Sequence, residues 1–393
     1  MSTPREPLLS RPFLVAFAAH FLHAISYNLF LHLPGWLGRL GADEARIGIV
    51  MGVAGATALV ARPALGRAID DRGRRPVAIA GGLLGFASCA SYLLLDRIGP
   101  GLYAVRLAHG LSEAMLFASL FALVADIVPA SRRIEGLGLF GVSGLLPIAL
   151  GGLIGDAVIA GASFDALFAV AAACSFLGMV LSLALPETRA ASAEPTRGIL
   201  GALLQRNLMP LWVAGLCLAM ALAAPFTFLK TLVLERPGLG QVGPFFGAYT
   251  AGAVVVRVLG GRIPERVGPE RAFIPAVALM SVGFILLALT HSSRLMLVSG
   301  VLLGAGHGFA FPILTGLVVA RAPVRDRGAA LSVYTGLFDA GLLLGAPLCG
   351  AIARGAGHGA MFATMMLVTV VAAGTFLLWD RRVSARAEDG SFP

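Results

Sequence analysis

Apolar runs of about 20 residues recur along the whole chain, separated by short polar connections. A helix needs roughly 20 apolar residues to cross the hydrocarbon core of a bilayer. The runs fall at 13–33, 46–66, 76–95, 101–124, 136–159, 164–185, 208–234, 242–263, 272–290, 295–320, 328–353 and 359–379. Little of the 393 residues is left over to build a soluble domain. Charged residues are 13% of the chain and apolar residues 58%, where a soluble domain carries roughly 25% charge. Fifty glycines suit helices that approach closely in lipid and follow no collagen period. Lipid offers the backbone no hydrogen-bond partner, so each run must satisfy itself as a helix. The predicted fold class is therefore an all-α membrane protein with twelve transmembrane helices.

A net charge of +9 does not indicate a nucleic-acid partner. The basic residues sit in short clusters between apolar runs, with no aromatic interleaving. With the N-terminus in the cytoplasm, twenty arginines fall in cytoplasmic connections and ends, among them Arg5, Arg11, Arg67, Arg72, Arg132, Arg189, Arg197, Arg321, Arg325 and Arg381. Only six fall outside: Arg39, Arg46, Arg97, Arg236, Arg294 and Arg354. Arg62, Arg106, Lys230 and Arg257 lie within runs. That asymmetry predicts a multi-pass protein of the inner membrane with both termini cytoplasmic. The first run follows two arginines as a signal peptide would, but it is long, carries three histidines and precedes eleven more runs. It reads as a retained helix. Cys89, Cys174, Cys217 and Cys349 stand singly in apolar segments, without redox or metal-ligand spacing.

The longest connection, Pro186–Asn207, is polar and carries Glu187, Arg189, Glu194, Pro195 and Arg197. It reads as a cytoplasmic linker (186–207) between an N-terminal half (1–185) and a C-terminal half (208–380), with a cytoplasmic tail at 381–393. The halves repeat one pattern. Arg62, Gly66, Arg67, Asp70 and Gly73 match Arg257, Gly261, Arg262, Glu265 and Gly268, each pair 195 residues apart.

The first copy resembles the signature of the major facilitator superfamily, G-x-x-x-D-[R/K]-x-G-R-[R/K], between the second and third spans. Gly66, Asp70, Gly73, Arg74 and Arg75 match it; Asp71 departs from the usual base. The second copy lacks the final basic pair. The resemblance covers nearly the whole chain by span count, midpoint linker and doubled motif. It implies two pseudo-symmetric six-helix bundles. It also implies a cytoplasmic gate, in which Arg74 pairs with Asp126 at the end of the fourth span and the cluster opens with the transport cycle. Gly66 and Gly73 would permit a tight turn there. Ordinary anchoring by solvated loop charges is the competing account of the same residues.

Ionisable groups inside a membrane mark sites by default. Arg106, His109 and Glu113 are spaced i, i+3 and i+7 in the fourth run and share a helix face. Arg106 to Gly110 resembles the R-x-x-x-G motif of proton-coupled family members. Glu113 with Arg106 and His109 reads as the proton-coupling group, Asp339 in the eleventh run as a second acid; the alternative is a structural ion pair. His20, His23 and Tyr27 repeat the same spacing in the first run, with Asn28 and His32 beside them. Lys230, Tyr249 and His307 are the other polar groups of the second half. With Phe117, Phe121 and Phe226 they make up the expected substrate cavity at the interface of the halves. Gly141, Gly144, Pro147, Gly151 and Gly152 loosely resemble the antiporter signature of the fifth span; Gly336, Gly341, Gly345, Pro347 and Gly350 form a matching tract in the eleventh.

The resemblance implies a secondary transporter, with proton-coupled efflux of a small drug-like or metabolite solute as the leading reading. Uptake of a sugar, organic acid or other metabolite is the alternative. An embedded enzyme or sensor would need a catalytic domain or clustered metal ligands. The expected partners are a small-molecule substrate, protons and lipid, with no nucleic acid, metal or cofactor, and the expected form is a monomer.

Overall fold

The computed structural model describes residues 8–129, 132–188, 198–261, 263–323 and 326–380. Arg5, Arg189, Glu194, Pro195, Arg197, Arg262, Arg325 and the tail 381–393 lie outside the described residues, as does the side chain of Glu265.

The first six crossings are α1 (Arg11–Leu29), α2 (Glu44–Arg72), α3 (Arg74–Ser91), α4 (Pro100–Ile127), α5 (Val142–Gly161) and α6 (Phe164–Ser182). A 3₁₀ turn, Phe30–His32, and a short helix, Leu33–Arg39, carry α1 onward; a short helix, Arg133–Phe140, leads into α5. The second six begin with α7 (Met209–Glu235), α8 (Val242–Gly260), α9 (Pro269–Ala288) and α10 (Ser293–Arg321). The helix Arg327–Thr375 breaks at Gly357, whose φ of 82° and ψ of 167° lie where other L-residues are strained. The break makes two crossings, α11 (327–356) and α12 (358–375). Unbroken, the 49 residues would run to about 75 Å, more than twice the hydrocarbon thickness.

Local chemistry starts the helices where the apolar runs begin. Ser10 Oγ accepts from Phe13 N at 3.4 Å, Ser163 Oγ from Ala166 N at 3.1 Å and Ser292 Oγ from Leu295 N at 3.3 Å. Each satisfies one of the N–H groups that a helix start leaves without a partner. Proline stands in the first turn of α1, α4, α7 and α9, where its missing N–H costs nothing.

The chain forms two compact units, residues 1–33 with 60–192, and residues 34–59 with 193–393. In the first, Phe13, Ala16, Ala78, Leu116, Leu120, Leu123, Val124 and Phe140 make a buried cluster of α1, α3, α4 and the short helix before α5. Glycines let the helices meet closely. A Cβ on Gly151 would lie 2.6 Å from the Asn28 backbone, one on Gly155 2.6 Å from the His32 ring and one on Gly144 3.2 Å from the His20 ring. The glycine tract of α5 is thus its seam against α1. In the second unit Gly341 and Gly345 of α11 abut Leu216 and Met220 of α7, with 2.6 Å to either carbonyl. Gly52 and Gly55 of α2 also pack there, against Leu343 and Asp339. Hydroxyls bridge neighbouring helices where lipid supplies no water: Ser112 Oγ donates to Gly81 O at 2.8 Å, and Ser299 Oγ to Gly283 O at 2.8 Å. Large apolar side chains such as Leu94 and Leu259 stand exposed, at 85% and 80%, as lipid-facing positions should.

Candidate functional site

At the start of α3 the doubled motif folds around a glycine. Gly73 has φ 97° and precedes α3; Gly268 has φ 89° and precedes α9. Both bends lie in the region that favours glycine. A Cβ on Gly73 would also run into the Glu187 carboxylate. Gly66 meets no described atom within 4 Å of an added Cβ. The left-handed bend of the motif is carried by Gly73.

Arg74 is buried at 5% exposure and is held from several directions. Its Nε donates to Asp126 Oδ2 at 3.0 Å and its Nη1 to Ile69 O at 3.0 Å, while its backbone N donates to Glu187 Oε1 at 2.9 Å. Asp70 Oδ1 lies 3.6 Å from Nη1. Thr188 Oγ1 donates to the same Asp126 oxygen at 2.8 Å, and Arg75 Nη2 donates to Leu183 O. The cluster thus ties α3 to the end of α4 and to the segment after α6. Removing one partner of a buried pair strands the other charge, at 3–5 kcal/mol when both are dry. Asp126 keeps 30% side-chain exposure, so Asp126→Asn is expected to cost about 2 kcal/mol after discounting for solvent. A lowered unfolding temperature in detergent, against no change for the exposed Glu135→Gln, is the check.

The second unit holds a counterpart with the signs exchanged. Arg321 stands 195 residues after Asp126, and Glu270 two residues after Gly268. Arg321 Nη2 donates to Glu270 Oε1 at 3.3 Å. The base of α9 is thus tied to the end of α10 as the base of α3 is to the end of α4. A motif written in residue letters misses this pair because the charges are swapped and the acid stands at the Arg75 position, one residue past that of Arg74.

In α4, Arg106 and His109 are buried and Glu113 is partly so. His109 sits among Phe30, Tyr27 and Tyr92, with ring centroids at 4.5, 5.4 and 6.2 Å, and its Nε2 is 4.0 Å from Cys89 Sγ. The Arg106 guanidinium is within electrostatic reach of Cys89, Tyr92 and His109. Tyr27 and His109 are therefore neighbours, as a common site requires.

The three first-span residues do not converge. His20 turns to α5 and α4, with Nδ1 2.7 Å from Ser143 Oγ and its ring 5.6 Å from Phe121. His23 fills a slot between Gly82 of α3 and Gly178 of α6. Tyr27 faces His109. Residues spaced i, i+3 and i+7 lie within about 60° of helix but at successive heights along it, and α1 has α4, α5 and α6 around it, so each side chain meets a different neighbour. Phe117 packs against Phe121 with ring centroids 4.5 Å apart and is 40% exposed.

In the second unit Tyr249 is fully buried, and its hydroxyl lies 2.5 Å from His307 Nδ1. Phe226 packs on Tyr249 at 5.6 Å, and Phe311 and Phe338 flank His307 at 5.9 and 6.4 Å. Lys230 is 9% exposed, one turn along α7 from Phe226, so it is packed within the bundle. Asp339 is partly buried on α11 beside Gly55.

Two carboxylate–imidazole pairs lie outside the sequence-based set. His32 Nε2 meets Asp156 Oδ1 at 2.9 Å, the two residues 0% and 6% exposed. His358 Nδ1 meets Glu235 Oε2 at 2.6 Å. Asp156 had a signal, being the one ionisable residue between Glu135 and Asp165. His358 and Glu235 sit at run ends, where a charge draws no notice.

Against known proteins, the chain is 25% identical over 342 residues to the inner membrane transport protein YajR of Escherichia coli, covering 84% of this chain and 74% of that one. It is 29% identical over 187 residues to the multidrug resistance protein MdtL of Escherichia coli, 47% of either chain. The crystal structure of the human organic anion transporter MFSD10 superposes with a TM-score of 0.73 at 19% identity, over 95% of this chain and 100% of that one; at that identity the likeness is one of fold. The family model described as Major Facilitator Superfamily matches residues 13–289 and 237–392. With twelve crossings, a doubled glycine-bend motif and that match over most of its length, the chain belongs to the major facilitator superfamily and is a multi-pass secondary transporter of small molecules in a lipid bilayer.

Proposed function

We propose that the chain exports a small amphipathic solute from the cytoplasm in exchange for protons. It would act as a monomer in the inner membrane, with both termini cytoplasmic and halves 1–185 and 208–380 rocking about the linker 186–207. The observation that carries this reading is the polar face of α4. There a buried arginine and histidine, walled by Tyr27, Phe30 and Tyr92, lead two turns along to Glu113. A partly buried carboxyl two turns from a buried cation is suited to taking and releasing a proton. Phe226, Tyr249 and His307 offer an apolar and aromatic wall with few polar groups, as drug-like ligands require. Efflux is favoured over uptake by the loose resemblance of the α5 glycine tract to the antiporter signature and by the likeness to the multidrug resistance protein MdtL. Arg74, Asp70, Asp126 and Glu187 would serve as the cytoplasmic latch of the cycle, with Arg321 and Glu270 as its sign-reversed mate.

The test is counterflow in proteoliposomes loaded with candidate amphipathic compounds. An imposed pH gradient, acidic on the side opposite the transporter's cytoplasmic face, is expected to drive solute against its own gradient at least about tenfold over gradient-free vesicles. Solute moving in the same direction as the protons would replace export by uptake, and indifference to the gradient would remove the proton from the cycle.

A further inference from the structure

At the end of α7, three side chains form a hydrogen-bonded chain that the α4 site does not use. Glu235 is the last residue of α7, and its carboxylate is 49% exposed. His358, just past the Gly357 break, is 3% exposed, with Nδ1 2.6 Å from Glu235 Oε2. Its other nitrogen, Nε2, is 2.8 Å from Thr231 Oγ1. Thr231 is itself buried, and its hydroxyl also reaches Phe228 O at 3.0 Å. The chain runs from a solvated acid through a buried ring to a buried hydroxyl.

Both protonation states of the ring are satisfied here. When the ring is charged, Nδ1–H donates to Glu235, Nε2–H donates to Thr231 Oγ1, and the Thr231 hydroxyl donates to Phe228 O. When it is neutral, Nδ1–H still donates to Glu235. The Thr231 hydroxyl then turns to donate to Nε2, and Phe228 O keeps its helix bond. One hydroxyl rotation separates the states, and neither leaves a buried polar atom without a partner. The charged ring is also matched by the carboxylate, so binding the proton buries no net charge.

The other charged and titratable groups around the chain have partners or lie apart. Arg236 Nε is 3.4 Å from Glu235 Oε1 and its Nη1 donates to Thr290 O at 3.1 Å. Arg354, one turn before His358, pairs with Asp43 at 3.2 Å. His291, on the α9–α10 connection, is exposed and bonded to Leu289 O at 3.0 Å. Arg294 begins α10, and Lys230 adjoins Thr231 on the buried side of α7.

We propose that Glu235, His358 and Thr231 form a proton-binding site at the junction of α7 and α12, with the His358 imidazole as the proton acceptor. The site would lie at the end of the second unit opposite the Glu270–Arg321 pair. It needs no transport to be observed, so it stands or falls separately from the exchange of solute for protons proposed above.

The experiment is imidazole NMR of the full-length protein in detergent, which has seven histidines, with His358 identified by its loss in His358→Gln and its perturbation in Thr231→Ser. A His358 ring resonance that moves with pH is expected. Glu235→Gln removes the countercharge at a half-exposed position and should weaken proton binding about tenfold; Glu235→Asp should restore most of it. Thr231→Ser keeps the hydroxyl and should leave the midpoint in place. If His358→Gln fails to fold, the Thr231→Ser and Glu235→Gln spectra still identify the ring. A His358 resonance that does not move with pH, or moves identically in Glu235→Gln, overturns the proposal.

Discussion

Gly304→Leu should yield no monodisperse protein, and Gly304→Ala should cost roughly 1–3 kcal/mol, the usual range for overpacking a filled interior. The reason lies between α8 and α10. Gly300, Gly304 and Gly308 recur every four residues, so they line one face of α10. A Cβ on Gly300 would sit 2.8 Å from Phe245 O, and one on Gly308 2.8 Å from Ala253 Cα. One on Gly304 would run into the Tyr249 carbonyl itself. The obstruction is backbone, so no rotamer change relieves it. The helices must separate, and the bond between the Tyr249 hydroxyl and His307 Nδ1 goes with the contact. Small residues at such seams let lipid-embedded helices associate without a hydrophobic drive. Gly316, on the same helix with nothing within 4 Å of an added Cβ, supplies the control. Gly316→Ala should be neutral or stabilising, since alanine is the better helix former. Size-exclusion profiles and unfolding temperatures of the three variants decide it. Equal behaviour of Gly304→Ala and Gly316→Ala would mean that the seam is looser than its geometry.

The crossings were legible because lipid admits few solutions: run length sets helix length, and the Gly357 break recovers the two crossings of one long helix. The doubled motif was legible where glycine has to supply an unusual backbone angle, at Gly73 and Gly268. At Gly66 the letter matches, and no described atom lies within 4 Å of an added Cβ. Partners across the fold were less visible. Arg74 with Asp126 followed from a family resemblance, but Glu270 with Arg321 reverses the signs and matches no written motif. His32 with Asp156 requires two helices more than 120 residues apart to be set side by side. The first-span histidines share a spacing but not a neighbour, because facing depends on what surrounds α1. The α5 glycines, which loosely resemble the antiporter signature, also let α1 lie close.

Glu113→Gln should abolish proton-driven accumulation of solute while leaving the protein folded. Glutamine keeps the shape and the hydrogen-bonding reach of the side chain, and it cannot take up or release a proton. Glu113 is only partly buried, so the exchange does not empty a packed site, and Arg106 and His109 retain their neighbours on α3 and α1. If Glu113 carries the coupling proton, the variant should lose uphill transport to the level of empty vesicles. It should keep gradient-free exchange of solute, because binding and rocking of the halves do not consume the proton. Replacing Arg106 would be a poorer test, since a buried guanidinium cannot be removed without disturbing what surrounds it. Accumulation and exchange measured in the same vesicles separate the outcomes. Loss of both would make Glu113 part of the solute site or of the bundle's packing. Survival of both would move the coupling role to another acid, with Asp156 and Asp339 the next to examine because each lies inside a crossing.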